Sequence, residues 1–207
     1  MKKVLFAKLL ALAFVVLNIA SCNTPKSDEN KEETPKMPEA VDLGLSVKWA
    51  SWNVGAEAPE EYGNYYAWGC IKHNYDQHFN YGTYKDIGSD ISGTEYDVAR
   101  TEWGNDWRIP TIDEMNELMT CCTWEWTTIN GKTGYKISGN GNSIFLPAGG
   151  YSNSVTYNDQ EMRGCYWTST IYSGFGSYAN YLNFGSTHYE IIEHYRNMHR
   201  SIRPVKD

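Results

Sequence analysis

The chain reads as a β-rich, loop-rich domain carrying two short helices, and three observations predict it. Sixteen Tyr and eight Trp stand beside 18 Gly, a composition that suits pleated segments whose irregular connections are pinned by amphipathic rings. Beyond the N-terminal segment, apolar residues come in short alternating stretches broken by turn residues, with few long aliphatic runs. Only two segments, 97–103 and 111–122, carry helical spacing.

Taken in order, Val41 to Val54 holds two short apolar patches separated by Gly44, then Val47-Lys48-Trp49, an opening pair of strands. Tyr65 to Trp68 predicts a further strand. Between Cys70 and Glu95 the residues are polar, with Gly82, Gly88 and Gly93 and no periodicity, so a long ordered loop is expected. Asp97 to Trp103 predicts a short helix ending at Gly104. The stronger helix begins at Thr111, where Thr-Ile-Asp-Glu places a capping hydroxyl and the Glu114 carboxylate in a reciprocal capping box. Ile112, Met115, Leu118, Met119 and Cys122 then fall on one face, which is core packing. In Thr123-Trp124-Glu125-Trp126-Thr127 the two Trp share a sheet face and Glu125 points away. Strands at 134–138 and 143–146 flank Gly139-Asn140-Gly141-Asn142 as a hairpin loop. Tyr166–Thr170, Tyr178–Phe184 and Ser201–Val205 complete the strands. Residues 152–164 and 185–197 are the polar connections expected to stand out from the surface, and no internal repeat is present.

The N-terminus predicts location. Lys2 and Lys3 precede an apolar run from Leu9 to Leu17, and Ile19-Ala20-Ser21 leads into Cys22. This is the layout of a bacterial lipoprotein signal over 1–21, with lipidation at Cys22. The apolar run falls well short of the roughly 20 residues that span a bilayer, whereas several acyl chains on one Cys give lasting attachment. Everything after Cys22 is expected outside the cytoplasm, as an outer-membrane, surface-exposed lipoprotein. Residues 22–39 carry Pro25, Pro35, Pro38 and alternating charges, which predicts a solvated tether. Residues 40–207, roughly 168 of them, then form one domain with one sizeable core.

Three of the 18 basic residues, Lys2, Lys3 and Lys8, belong to the signal, which has no acid; 15 basic against 25 acidic residues leave the mature chain at −10. Nucleic acid is therefore a poor partner. Cys70, Cys121, Cys122 and Cys165 admit three full pairings, among which spacing does not choose. A bridge between neighbours is strained, no CxxC signals zinc, and small buried thiols are expected.

Seven ordered blocks carry a resemblance: Val41-Asp42-Leu43-Gly44-Leu45-Ser46-Val47-Lys48-Trp49-Ala50; Asn53-Val54-Gly55-Ala56; Pro59-Glu60-Glu61-Tyr62-Gly63; Trp107-Arg108-Ile109-Pro110-Thr111; Gly141 through Tyr151; Tyr166-Trp167-Thr168-Ser169-Thr170; and Ser201-Ile202-Arg203-Pro204-Val205. From about residue 40 onward the chain resembles the Fibrobacter succinogenes major paralogous domain, a family abundant in lipoproteins of Bacteroidota. The resemblance implies an α+β, C-type-lectin-like fold with small twisted antiparallel sheets, two helices and long loops, related to the formylglycine-generating-enzyme domain. Cys70 stands where relatives commonly have an acid.

The chemistry those relatives perform is not predicted here. Formylglycine generation uses a copper-bound cysteine pair late in the domain, and Cys165 is the only late cysteine; one thiolate does not make the soft pair that Cu(I) takes. His194 and His199, flanked by Arg196 and Arg200, do not match the two-His-and-acid iron site of another relative. Calcium is a cofactor of many C-type lectins. Trp103-Gly104-Asn105-Asp106 lies too early for their calcium signature, and Asn158, Asp159 and Glu161 form a polar loop cluster that reads equally as a solvated turn. There is no Gly-x-Ser-x-Gly elbow and no phosphate-cradling loop. The expectation is a lipid-anchored, non-catalytic domain that binds glycan or protein, or else a subunit of a surface assembly, with no resident metal. Its candidate binding residues are Tyr151, Tyr157, Asp159, Tyr172, Tyr178, His188 and Tyr189 in late Tyr-rich loops, where rings with hydroxyl tips give contact area at low entropy cost. Each reads equally as a loop anchor.

Overall fold

The computed structural model describes residues 36–73, 84–104, 106–153 and 155–207. The signal segment 1–21, Cys22 and residues 23–35 of the expected tether lie outside the described residues, as do 74–83 of the expected long loop. In chain order the elements are β1 Ala40–Val41, β2 Lys48–Ala50, α1 Val98–Trp103, α2 Ile112–Cys121, β3 Thr123–Ile129, β4 Lys132–Gly139, β5 Asn142–Pro147, β6 Tyr151–Ser152, β7 Tyr157–Asn158, β8 Gly164–Ile171, β9 Tyr178–Gly185, β10 His188–Tyr195 and β11 Val205–Lys206. All pair antiparallel, in the orders β1-β2-β11, β10-β9-β8, β3-β4-β5 and β6-β7. The class is α+β, as expected: small antiparallel sheets with two helices.

The sheet β10-β9-β8 is a partition between two cores, and its period of two decides which residues enter each. Tyr166, Leu182 and Phe184 point into one core with Trp49, Met115, Leu118, Tyr135 and Ile137. Their neighbours Cys165, Trp167, Ala179 and Tyr181 point into the other with Trp68, Ile91, Val98 and Ile109. Ile191 and Ile192 at the edge divide the same way. Burial on both faces explains why apolar residues stand side by side in Cys165-Tyr166-Trp167 of β8 and Tyr181-Leu182 of β9, and each large ring so buried contributes about 1.5–3 kcal/mol.

Both helices start where the sequence places them. Asp97 caps α1 by accepting from Ala99 N and Arg100 N, and its second carboxylate oxygen accepts from Gly93 N and Ile109 N. At α2 the Thr111 hydroxyl accepts from Glu114 N and the Glu114 carboxylate accepts from Thr111 N. Arg108 adds a charge-assisted pair to the same carboxylate at 2.6 Å, which holds it below the usual carboxylate range against the opposing effect of burial. Met115 and Leu118 are buried, and α2 lies against β8, β9 and β10. Two hairpins join β3, β4 and β5 through Asn130-Gly131 and Asn140-Gly141, with φ of 48° and 79°, and 51° and 77°. Positive φ at both central residues is the type I′ geometry that matches strand twist. Trp124 and Trp126 share one face of β3, each in edge contact with Tyr135 and Phe184.

Four expectations are corrected. Tyr65–Trp68 is fully buried but forms only an isolated bridge, Tyr66 with Arg200: beyond that reciprocal pair its one further backbone bond to a distant segment among the described residues is Trp68 N to Arg196 O at 2.8 Å, which leaves the ladder unextended before Gly69 turns the chain at φ 80°. Residues 185–197 are no projecting connection: His188–Tyr195 is the edge strand β10, paired along its whole length with β9. Ser201–Pro204 is not strand, since its bonds go to several elements in turn, and only Val205–Lys206 pairs regularly. Cys70 and Cys165 are buried thiols, but Cys121 at the end of α2 is exposed; the four described cysteines form no disulfide with one another.

Residues 199–205 thread the centre of the domain. His199 bridges Ser152, Arg200 bridges Tyr66, Ser201 bridges Tyr166, the Ile202 and Pro204 carbonyls accept from Val54 N and Ala50 N, and Val205 pairs with Trp49 and Arg108. Arg203, fully buried, gathers this thread: its guanidinium donates to Asn53 Oδ1 (2.8 Å), Ala50 O (3.1 Å), Ser51 O (3.2 Å) and Phe145 O (2.8 Å). Among the described residues no helix is long and apolar enough to cross a membrane.

Candidate functional site

Where the central thread passes the face of β8-β9-β10 that carries Cys165, Tyr181 and His194, it leaves a half-open cleft of about 210 Å³. Its floor is Arg200. The reciprocal backbone bonds with Tyr66, both 3.0 Å, fix where the side chain starts. The guanidinium then lies between two rings, 4.3 Å from the centroid of Trp167 and 3.8 Å from that of Tyr181. Arg200 is 2 % exposed, and its Nε and Nη1 have no hydrogen-bond partner among the described residues. Burial pushes its pKa down, while the charge of Tyr181 and a hydrogen bond to it oppose the shift; the group stays a cation. Stacking between two rings offsets part of the desolvation at about 0.5–2 kcal/mol per ring.

The walls come from separate elements. Arg163, just before β8, donates to Asn183 Oδ1 at 2.9 Å and pairs with Asp159 at 3.4 Å, with 41 % of its side chain exposed. Cys165 on β8 is buried, and burial pushes its thiol up despite the nearby arginines, so it is not a ready nucleophile. His194 on β10 is held below the usual imidazole range by burial and by Arg200, so a neutral ring faces the cleft; its Nδ1 has no partner among the described residues. Tyr151 on β6 and Met198 close the remaining side.

The seven residues singled out by sequence do not form one surface. Tyr151 lines the cleft, and Asp159 reaches its edge through Arg163. Tyr157 is 54 % exposed and meets the Tyr65 ring edge-on at 5.2 Å. Tyr172 and Tyr178 belong to a second aromatic group, joined through the exposed Phe175, with Tyr178 in turn 4.5 Å from Tyr195. His188 is exposed beside the β9–β10 turn, and Tyr189 stacks on Trp124 at 4.4 Å, packed on the opposite face of the sheet from the cleft. Tyr151, Tyr157, Tyr178, His188 and Tyr189 lie on strands rather than loops.

The polar cluster Asn158, Asp159 and Glu161 is spoken for by protein partners. Glu161 accepts from Thr133 N and Thr133 Oγ1, meets Lys132 at 3.4 Å and is bonded by the Tyr62 hydroxyl, while Asp159 turns to Arg163. Among the described residues no three His, Cys, Asp or Glu side chains gather as a metal-holding group.

Sequence reasoning missed Arg163, Tyr181, Met198 and Arg200 as site residues and set His194 aside. One signal was available: from His194 to Lys206 the chain has two His, three Arg and one Lys and no acid, in a protein of net negative charge. In the structure the three arginines of that run are buried among rings and carbonyls. No family model, no curated protein and no solved structure matches the chain.

Proposed function

We propose that the protein is a lipid-anchored lipoprotein of the outer membrane whose extracytoplasmic, C-type-lectin-like domain binds a ligand at the cell surface without transforming it. The observation that carries the reading is the cleft: a buried, incompletely bonded cation on a rigid sheet face, flanked by tyrosines with polar tips and opening to solvent. Binding sites hold a few placed polar groups among rings in this way. The Cys165 thiol, kept protonated by burial, supports binding over chemistry. Cys22 as anchor rests on the signal pattern of residues 1–22.

A glycan array probed with the detergent-solubilised full chain, with and without EDTA, tests the reading. Binding that survives EDTA is expected. Binding lost on chelation replaces the cleft with a calcium-dependent site, and no glycan binding at all turns the reading toward a protein partner. The second reading, a subunit of a surface assembly, is favoured by one feature: β10 is an edge strand that pairs with β9 and with no other strand among the described residues. The charges of Glu190 and Glu193 along that edge are of the kind that discourages pairing.

A further inference from the structure

We infer that the cleft over Arg200 receives a compact carboxylate monoanion, the uronic-acid unit of an acidic glycan. This deepens the binding reading above and rests on it.

Four observations lead there. First, ion pairs among the described residues engage Arg108, Lys132 and Arg163, and none is formed by Arg200. Its two unbonded nitrogens sit in a residue 2 % exposed. Folded proteins seldom leave buried donors unanswered, and a guanidinium answers a carboxylate with paired N–H bonds. Second, of the two arginines that line the cleft, Arg163 pairs with Asp159, and the nearby Glu190 meets the Asn183 amide at 3.4 Å, which leaves the Arg200 guanidinium without a carboxylate on it among the described residues. One unengaged guanidinium with a carboxylate nearby suits a monoanion better than a phosphate dianion. Third, about 210 Å³ lies below the roughly 300–1,000 Å³ of sites for drug-sized ligands. It holds one ring-sized unit and excludes an extended chain. Fourth, the Tyr151 and Tyr181 hydroxyls and the His194 imidazole surround the floor with groups that both donate and accept. A sugar ring carries hydroxyls to meet them, and an acidic peptide side chain does not.

The test titrates the full chain in detergent with glucuronate, galacturonate, a short oligogalacturonide, neutral galactose, inorganic phosphate and an N-acetyl-glutamyl peptide, by calorimetry. Tryptophan emission gives a second readout, because the Trp167 ring underlies Arg200, with Trp167→Phe as the variant that removes that contribution. Uronates are expected to bind at least about tenfold tighter than galactose, to weaken as salt rises and to shift an emission component that Trp167→Phe lacks. Arg200→Gln abolishes this binding. Should that variant not fold, Arg163→Gln, on a half-exposed side chain, is expected to weaken uronate binding about threefold by removing one wall donor. Tighter binding of the oligomer than of the monomer places the site at a glycan end, and equal binding places it on free uronate; both support the carboxylate receptor. Equal affinity for galactose overturns the inference and leaves glycan binding standing. Preference for phosphate or for the glutamyl peptide overturns the uronate assignment. No binding to any probe overturns the inference alone when the glycan array shows binding, and both readings when the array is blank.

Discussion

At the scale of single residues two buried arginines, Arg200 and Arg203, have no carboxylate partner among the described residues, and Arg203 is the case where competing terms can be weighed. Its four acceptors are three backbone carbonyls and the Asn53 amide oxygen, and burial pushes its pKa down to about 10. Hydrogen bonds from a charged donor contribute about 1.5–3 kcal/mol each, against a desolvation penalty of several kcal/mol for the ion. Arg203→Met recovers the penalty but strands four buried acceptors, so a net loss of about 3 kcal/mol is expected. It would be read as a fall of about 1 M or more in the urea midpoint. An unchanged midpoint would mean that the bonds only offset the burial. His194 yields a prediction with a sign. Its folded pKa lies below the ordinary 6.5, so the unfolded chain takes up the proton more readily than the native one. Stability is unaffected above about pH 6.5 and declines as pH falls through the window below it. His194→Gln should flatten that decline in denaturant titrations run from pH 7 to pH 5. At this scale the sequence was legible where chemistry is local. The cap at Thr111 is a four-residue pattern, whereas Arg200 acquires its role from Trp167, Tyr181 and Tyr66, residues 19 to 134 positions away in the chain.

Elements follow turn chemistry and alternation closely, and their boundaries fail where those signals stop. Asn140-Gly141 marked one hairpin in advance; Asn130-Gly131 is the same dipeptide in the same geometry and carries the same signal. The β9–β10 turn, Ser186-Thr187, has no Gly or Asn, which is why β10 was hidden behind it despite the strand-forming run Tyr189 to Ile192. Two glycines separate conformational strain from steric clash. Gly141 has φ 77° and open space where a Cβ would be, so Gly141→Ala carries only the left-handed penalty, about 1 kcal/mol. Gly150 has φ 68°, and a Cβ there would collide with the Asn158 carbonyl oxygen at the β6–β7 pairing. Gly150→Ala should therefore cost several times as much, about 3 kcal/mol or more. Thermal melts of the two variants side by side check it, and equal shifts would show that β7 yields at little cost. The same comparison bears on the cleft, because Tyr151 follows Gly150 directly and would be displaced with it.

For the molecule as a whole, the partition by β10-β9-β8 explains why one domain of this length holds two cores, while β2, paired with β1 on one side and β11 on the other, holds its ends together. Counting apolar residues predicts a core of adequate size but not that a sheet divides it; that follows from β8 and β9 carrying buried rings and aliphatic side chains on both faces, a pattern that composition alone does not reveal. The N-terminal edge completes the structure further upstream than the expected start at residue 40. Lys36 donates to Glu57 O at 2.9 Å and lies 4.8 Å over the Trp52 ring, Pro38 is buried, and Glu39 exchanges bonds with Ser51 at 3.0 and 2.9 Å. Strand β1 then pairs Ala40 with Ala50 and Val41 with Trp49, covering β2 on the side away from β11. A chain beginning at Asp42 loses these three hydrogen bonds and the β1 pairing and exposes β2 as an edge over the buried Trp49, at a cost of about 2–3 kcal/mol once the exposure of the lost bonds is allowed for. At roughly 2–4 °C per kcal/mol for a domain of this size, it should melt about 5–10 °C below a chain beginning at Lys36. The chain beginning at Lys36 should itself melt together with one beginning at Cys22, whose extra residues read as tether. If the Asp42 chain melted with the others, the contacts of residues 36–41 would contribute nothing, and the boundary at residue 40 would stand as the sequence placed it.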